Sequence, residues 1–289
     1  MKIVKITSLI LLLNFYCTAQ QDDWSEVEKI FGKTGEIKEG GFKITFPRSD
    51  LKVKVHDFPA KSGLALSSRI SFMKMGSHTM MMGDLVLLDK EVNIVIPRLI
   101  AENLEITALH NHLIGESPGI KYLHFSGKGD VLKLAESIKK VLSASATPLR
   151  PQERKEKEAS PDWSKIKAVL GPSGVQEGKL VKYNFERNEK LTEEKITMPG
   201  YMGLATSINF QIEEGEAGIT GDFVLIAEEV NPVIKALNEY DIIITAVHNH
   251  MLYDSPRLFM LHFWAVDDPQ KLAKGLKAAL EKTNSKMSK

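Results

Sequence analysis

The sequence predicts an α+β fold in two tandem copies, each a set of helices packed on a largely antiparallel sheet. Three observations predict it. First, long stretches recur: "GDLVLLDKEVNIVI" from Gly83 returns as "GDFVLIAEEVNPVI" from Gly221, and "ITALHNHLIGESPGIKYLHF" from Ile106 as "ITAVHNHMLYDSPRLFMLHF" from Ile244. The offset is 138 at His110 and His248 and again at His124 and His262, and 139 at Trp24 and Trp163, Gly32 and Gly171, and Arg48 and Arg187. A period this long is a duplicated domain, since solenoid units run about 20 to 50 residues. Second, a stretch rich in Pro, Ser and charge separates the copies; it has too little apolar surface to bury and reads as a linker. Third, each copy mixes period-two alternation with helical spacing. The expected organisation is a leader over 1–19, domains over 22–145 and 160–283, a linker over 146–159 and a polar tail over 284–289.

Within each copy an opening helix starts at Trp24 or Trp163 and ends near Gly32 or Gly171. Strands follow over Phe42–Phe46, Lys52–Val55, Ala65–Met73 and Met80–Leu88, with Val181–Phe185, Leu204–Ile212 and Ala217–Ile226 in the second copy. Val92, Val95, Ile96, Leu99 and Ile100 then fall at helical spacing, matched by Val230, Val233, Ile234 and Leu237. Asp89 and Glu91 lie near the start of this helix, where carboxylates favour its dipole. Pro232 is expected in a first turn, where a missing N–H costs nothing. A strand over Ile106–His112 or Ile242–His250 leads through a loop to a returning strand, Lys121–Ser126 or Leu258–Trp264. An amphipathic helix closes each copy, Asp130–Leu142 and Pro269–Lys282.

Length and composition fit this reading. The chain has 289 residues, 43% hydrophobic and 26% charged, the balance of a folded protein. A formal net charge of +1 provides no field to gather nucleic acid, and the basic run Arg150–Lys157 reads as solvated linker. Lys2 and Lys5, the apolar run Ile6–Phe15 and the small residues of Cys17-Thr18-Ala19 make a secretory signal peptide, with cleavage expected after Ala19. The apolar run is shorter than the roughly 20 residues that span a bilayer, so no membrane helix is expected in the mature protein. Cys17 is the single cysteine, so a metal site in the mature protein must use His and carboxylates. The competing reading makes Cys17 a lipidation site, against which Tyr16 is a poor fit.

Six of the eight histidines form the repeated trio. His110 and His112, two apart on a strand, share one face, and a hairpin centred near Pro118 would set His124 opposite His112. His248, His250 and His262 repeat the pattern, giving one site per copy. Three imidazoles suit Zn, Cu, Ni or Fe(II) with a position left for water or a carboxylate. Glu116 and Asp254, four residues after the second His, are candidate ligands or acid–base partners. Glu91 and Glu229 are candidate metal ligands, and they or Asp84 and Asp222 could instead orient an imidazole. Arg257, where the first copy has Gly119, could clamp a carboxylate or phosphate. A lone strand histidine is usually a hydrogen-bonded core residue, and the duplicated trio weighs against that reading.

Three look-alikes fail. The letters His-Asn-His are contiguous here, unlike the dispersed residues of HNH nucleases. The His-x-Ser of position 124 is not repeated at 262, where Trp264 stands. The order His-x-His-x3-Glu is found in cupins, but a helix directly before the His strand does not fit an all-β fold.

With "GDLVLL", "EVN", "ITALHNHLIGESP" and "LHF" in copy one, and "GDFVL", "EEVNPVI", "TAVHNHMLYDSPRLF" and "LHFWAVDD" in copy two, the chain resembles the LppY/LpqO family over nearly all of its mature length. These are secreted or lipid-anchored bacterial proteins built from a domain of unknown function. The resemblance implies export, duplication and the His trio, and implies no reaction. Gly119 and Ile94, where it leads one to expect Arg and Pro, both fall in copy one. The leading expectation is an exported protein binding a divalent transition metal, with a small-molecule or envelope ligand, no nucleic-acid partner, and metal-dependent catalysis as its extension. The rivals are a non-catalytic envelope-ligand module and a metal-free His/carboxylate hydrolase using Glu116 or Asp254.

Overall fold

The computed structural model describes residues 24–150 and 159–287, so the expected leader with Cys17 and most of the charged linker run lie outside the described residues. The first half runs α1 (Ser25–Phe31), β1 (Glu36–Lys38), β2 (Gly41–Pro47), β3 (Val53–Val55), β4 (Phe58–Ala60), β5 (Ser67–Met75), β6 (His78–Leu88), α2 (Asp89–Ala101), β7 (Glu105–His110), β8 (Glu116–Ser117), β9 (Ile120–Gly129) and α3 (Val131–Leu142). The second runs α4 (Ser164–Leu170), β10 (Val175–Glu177), β11 (Leu180–Phe185), β12 (Thr192–Glu193), β13 (Ile196–Thr197), a 3-10 turn (Gly200–Met202), β14 (Thr206–Glu213), β15 (Glu216–Leu225), α5 (Ala227–Asn238), β16 (Ile243–His248), β17 (Asp254–Ser255), β18 (Phe259–Asp267) and α6 (Pro269–Leu280). Each half is a six-stranded antiparallel sheet, β1-β2-β5-β6-β9-β7 or β10-β11-β14-β15-β18-β16, beside a three-stranded one, β4-β3-β8 or β13-β12-β17. The fold is the duplicated α+β arrangement that the repeat predicts.

Local chemistry explains the helix ends. Asp130 and Asp268 cap α3 and α6, their carboxylates accepting the otherwise unpaired N–H groups of Leu132 and Lys133, and of Gln270 and Lys271. α1 stops at Gly32, whose φ of +65° only a residue without Cβ adopts freely. Pro232 is not in a first turn: α5 begins at Ala227, which puts it in the second turn, and Pro97 likewise lies inside α2.

All helices of a half cover one face of its large sheet. In the first half, Val27 and Phe31 of α1, Val95 and Leu99 of α2 and Ile138 and Leu142 of α3 pack against Phe42, Ile70, Leu85 and Phe125. Full burial of such side chains is worth about 1.5–3 kcal/mol each, before the entropy of ordering them is counted.

The helix-free faces meet each other, and the small sheet of each half, packed mainly on its own half, reaches the other at its edge. Val53, Val55 and Phe58 pack with Leu180 and Trp264 of the second half. In return Leu191, Met198 and Met202 cover Met80 and Met82 of the first. Hydrogen bonds cross as well: Lys61 N–H donates to Gln211 (2.8 Å), Gln211 to the Pro59 carbonyl (2.6 Å), Thr245 to the His112 carbonyl (2.6 Å) and Asn249 to the Thr107 carbonyl (2.8 Å).

A candidate metal centre between the two halves

A row of cross-strand neighbours builds each side of the site. In the first half Arg69, Asp84, His124 and Ala108 lie opposite one another across β5, β6, β9 and β7; in the second, Ser207, Asp222, His262 and Ala246 hold the same places. Alternation puts these residues on the helix-free face, because their strand neighbours Ile70, Leu85 and Phe125 face the core. The structure thus sets the two trios toward each other, so that the donor group of each half, one per copy as expected, lies against the other across the boundary.

The expected register is corrected too. His124 pairs with Ala108 and His110 with Tyr122, so His112 does not face His124 across a hairpin. The reason is β8, which leaves the loop to pair with β3, and a register shift between Ile106 and Ala108. β7 and β16 end at His110 and His248, and His112 and His250 follow just beyond, with ring centroids still 5.2 and 5.1 Å from their partners.

Imidazoles interleave across the boundary. His112 lies over His262 (3.6 Å between centroids), His250 over His124 (4.2 Å) and His110 over His248 (3.5 Å). Tyr122 stacks on the other face of this group at 3.5 Å from His112, its hydroxyl donating to the Ala65 carbonyl.

The second half shows how the rings are oriented. Nδ1 of His248, His250 and His262 lies 3.0, 3.1 and 2.7 Å from the carbonyls of Asn249, Gly203 and Gly221. A carbonyl only accepts, so each Nδ1 carries the proton and donates it, which leaves each Nε2 as a lone pair. All three Nε2 atoms are buried without a hydrogen-bond partner, as is Oδ1 of Asp222. The other oxygen, Oδ2, lies 3.0 Å from His250 Nε2, where a proton could be shared by the pair. Apart from such a proton, acceptors converge there with no donor among them. These four residues offer ligand atoms within 4.8 Å of one another, and His110, His112 and His124 form a second such group. In that group His110 Nε2 and His124 Nε2 satisfy each other at 2.9 Å, and His112 Nε2 has no partner.

Burial governs the charges. It pushes His110 down to about 3 and holds His112, His124, His248 and His262 below the ordinary imidazole value, with repulsion among the rings adding to it. His250 is the exception: burial lowers it, but Asp222 wins and raises it. Burial would raise Asp222, yet His262 and His250 hold it below the usual carboxylate range. Asp84, its counterpart, is raised by burial, with Arg69 opposing.

Other sequence-predicted residues are elsewhere. Glu91 and Glu229, expected as ligands, are not brought to the imidazoles. Glu91 accepts from Arg48 (2.7 Å) and from the N–H groups of Leu88 and Ala146 (both 2.8 Å). Glu229 does the same with Arg187 (2.6 Å), Ile226 (3.0 Å) and Asn284 (2.9 Å). Asp50 and Glu189 complete the guanidinium shells. Both glutamates are helix caps tied to buried arginines. Asp254 pairs with Arg257 at 2.8 Å, and Glu116 accepts from Ile120 N–H at 3.2 Å; neither belongs to the two donor groups. Sequence reading missed Tyr122 as a stacking partner and Arg69 and Lys43 as site-facing cations. Strand alternation carries the signal for the last two, since both fall on the same face as Asp84.

A cavity of about 450 Å³ opens beside the cluster, lined by residues of both sheets, among them His112, His124, His250, Asp84 and Asp222.

A family model described as Domain of Unknown Function (DUF1259) matches residues 25–144 and again 164–282. The chain belongs to this family, as a duplicated member. No curated protein matches it. Among solved structures, EtuB from Clostridium kluyveri aligns at 8% identity over 86% of this chain and 89% of that one, with a TM-score of 0.21. PduB, a trimeric bacterial microcompartment shell protein, aligns at 11% identity over 88% and 96%, with a TM-score of 0.23. Likenesses this slight carry no argument about fold or function.

Proposed function

We propose that this DUF1259-family chain binds a divalent transition metal at the boundary of its halves, through His248, His250, His262 and Asp222. One observation carries the reading: three anchored imidazoles turn buried, unpartnered Nε2 atoms toward one carboxylate. Buried acceptors without donors are costly, and a cation answers all of them at once. Donation of Nδ1–H to a carbonyl is also the outer-shell arrangement that fixes metal-ligating histidines. A proton shared by His250 and Asp222 would answer only one imidazole and leave those of His248 and His262 orphaned, which counts against the metal-free hydrolase. His110, His112 and His124 face this set as a second group, so up to two ions fit the cluster. Imidazole and carboxylate suit Zn, Cu, Ni or Fe(II). The adjoining cavity would let a small ligand reach the metal, which is the basis for extending the reading to metal-dependent chemistry.

The test is elemental analysis of mature protein purified without an affinity tag, beside a His248→Ala/His250→Ala variant. We expect about one or two equivalents of metal in the parent, lost in the variant. No metal in either protein after reconstitution with Zn, Cu and Fe(II) would sink the proposal.

We also propose export, on the composition of residues 1–19, and retain the LppY/LpqO resemblance as the finer family assignment. Among the described residues no helix is long and apolar enough to cross a membrane. An intact mass beginning at Gln20 in protein recovered from outside the cytoplasm supports export; a cytoplasmic chain that keeps Met1 refutes it.

A further inference from the structure

Two cations line the same cavity as His250 and Asp222. Lys43 on β2 and Arg69 on β5 project from the helix-free face, both partly buried. Among the described residues, no carboxylate lies within ion-pairing distance of either, although Asp84 is the cross-strand neighbour of Arg69. The fold treats its structural arginines differently. Arg48 and Arg187 are wholly buried, and each is saturated by two carboxylates and a backbone carbonyl. A guanidinium that only held the sheets together would be expected to find such partners, since an unmatched cation out of water is expensive. Burial lowers Lys43 to about 8, and Arg69 adds to the effect while Asp84 and Glu36 oppose it, so an anion beside Lys43 would relieve it.

The repeat sharpens the point. Arg69 corresponds to Ser207, on the strand that lines the opposite wall, so this charge is not a leftover of the duplicated scaffold. The remaining walls include Ala65, Met82, Tyr201 and Met202, which offer apolar contact to a ligand body. Lys38, Glu39 and Glu186 also line the cavity. A cavity of about 450 Å³ falls within the range of small-molecule sites.

We propose that the cavity binds a small organic anion, its carboxylate or phosphate held by Arg69 and Lys43 and its other end directed toward His250 and Asp222. A guanidinium presents paired donors that match either oxyanion, and the ammonium adds a second charge. The two residues that would hold the anion, Arg69 and Lys43, are not among the proposed metal ligands, so its binding does not require a metal to be bound.

The experiment is titration calorimetry on the full mature chain, as purified and after chelation, with benzoate, inorganic phosphate and neutral benzyl alcohol as probes. Arg69→Ser, which installs the residue of the second half, and Lys43→Met are the variants. We expect benzoate or phosphate to bind in both metal states and benzyl alcohol to bind at least tenfold more weakly. Each variant should weaken the preferred anion at least tenfold with its metal content unchanged. The stronger probe tells carboxylate from phosphate, and should Arg69→Ser fail to fold, Lys43→Met supplies the same comparison. Anion binding equal in parent and both variants, or none in the parent, overturns the proposal. Binding abolished by chelation but unaffected by the variants places the anion on the metal and also overturns it. A parent that holds no metal even after reconstitution, yet binds the anion through Arg69 and Lys43, would defeat the metal reading and leave this one standing.

Discussion

The two halves share a scaffold and differ in what they point at each other. In the second half three anchored histidines face Asp222, which lies against His250. In the first, His110 and His124 satisfy each other, and the equivalent acid Asp84 lies beside Arg69. Tyr122, stacked on His112, has Met260 as its counterpart. By contrast, Arg48 with Glu91 and Arg187 with Glu229 are near copies, down to the carbonyl each arginine reaches. Duplication has preserved both the residues that hold each half together and the histidines and aspartate of the cluster, while some of their neighbours on the shared space, Arg69 against Ser207 and Tyr122 against Met260, have diverged. The unequal positions are therefore the place to look for selectivity.

The largest effect should come from the part that does not differ. Arg48→Ala and Arg187→Ala each leave a buried glutamate uncompensated and should cost about 3–5 kcal/mol in urea unfolding. A gap between them much above 1 kcal/mol would break the equivalence. Arg48 and two N–H groups hold Glu91 below its ordinary value of 4.5 against the opposing effect of burial. Its stabilisation is therefore full above pH 4.5 and is lost as pH falls through the lower folded-state value. Glu91→Gln should flatten that acid limb in a stability profile from pH 7 to 2; an unchanged limb would assign it to other carboxylates.

Next comes the metal. His248→Ala/His250→Ala should weaken it by more than about 100-fold, beyond the range of outer-shell losses, while His110→Ala/His112→Ala retains one equivalent. Competition against a chromophoric chelator reads both, and equal loss would mean that the six imidazoles act as one indivisible set. A smaller contrast is expected from the acids: Asp222→Asn should weaken metal about tenfold or more, and Asp84→Asn by less than threefold. Parity between them would erase the difference between the halves. Smallest of all, Gly119→Arg should move Tm by no more than about 2 °C. The added Cβ would come within 2.6 Å of the Asp89 carboxylate, the mobile end of an exposed side chain that can swing aside.

Much of the scaffold was legible because it depends on local pattern. The aspartates before α3 and α6 and the helical spacing after Asp89 each speak for a few neighbouring residues. The histidines were legible as trios for the same reason. Their union was not, because it depends on a boundary between segments more than a hundred residues apart. One clue was present in β6, where Met80, Met82 and Val86 alternate with Met81, Leu85 and Leu87. A strand apolar on both faces is buried on both faces. Lys43, Arg69 and Asp84, on the side away from the helices, instead invite the reading of a solvated surface. Glu91 and Glu229 misled because a carboxylate near a histidine strand in sequence can equally serve the helix it opens.

The reciprocal contacts of the small sheets carry a historical consequence. The surfaces by which the halves grip each other are nearly the same surface used twice, which is how two identical chains pair about a twofold axis. An ancestor with one repeat could have met its own copy in this way. Two identical chains cannot place Arg69 on one side of their axis and Ser207 on the other, since every substitution appears twice. Joining them end to end lifts that constraint, and a pocket that was once its own mirror partner becomes free to acquire a front and a back.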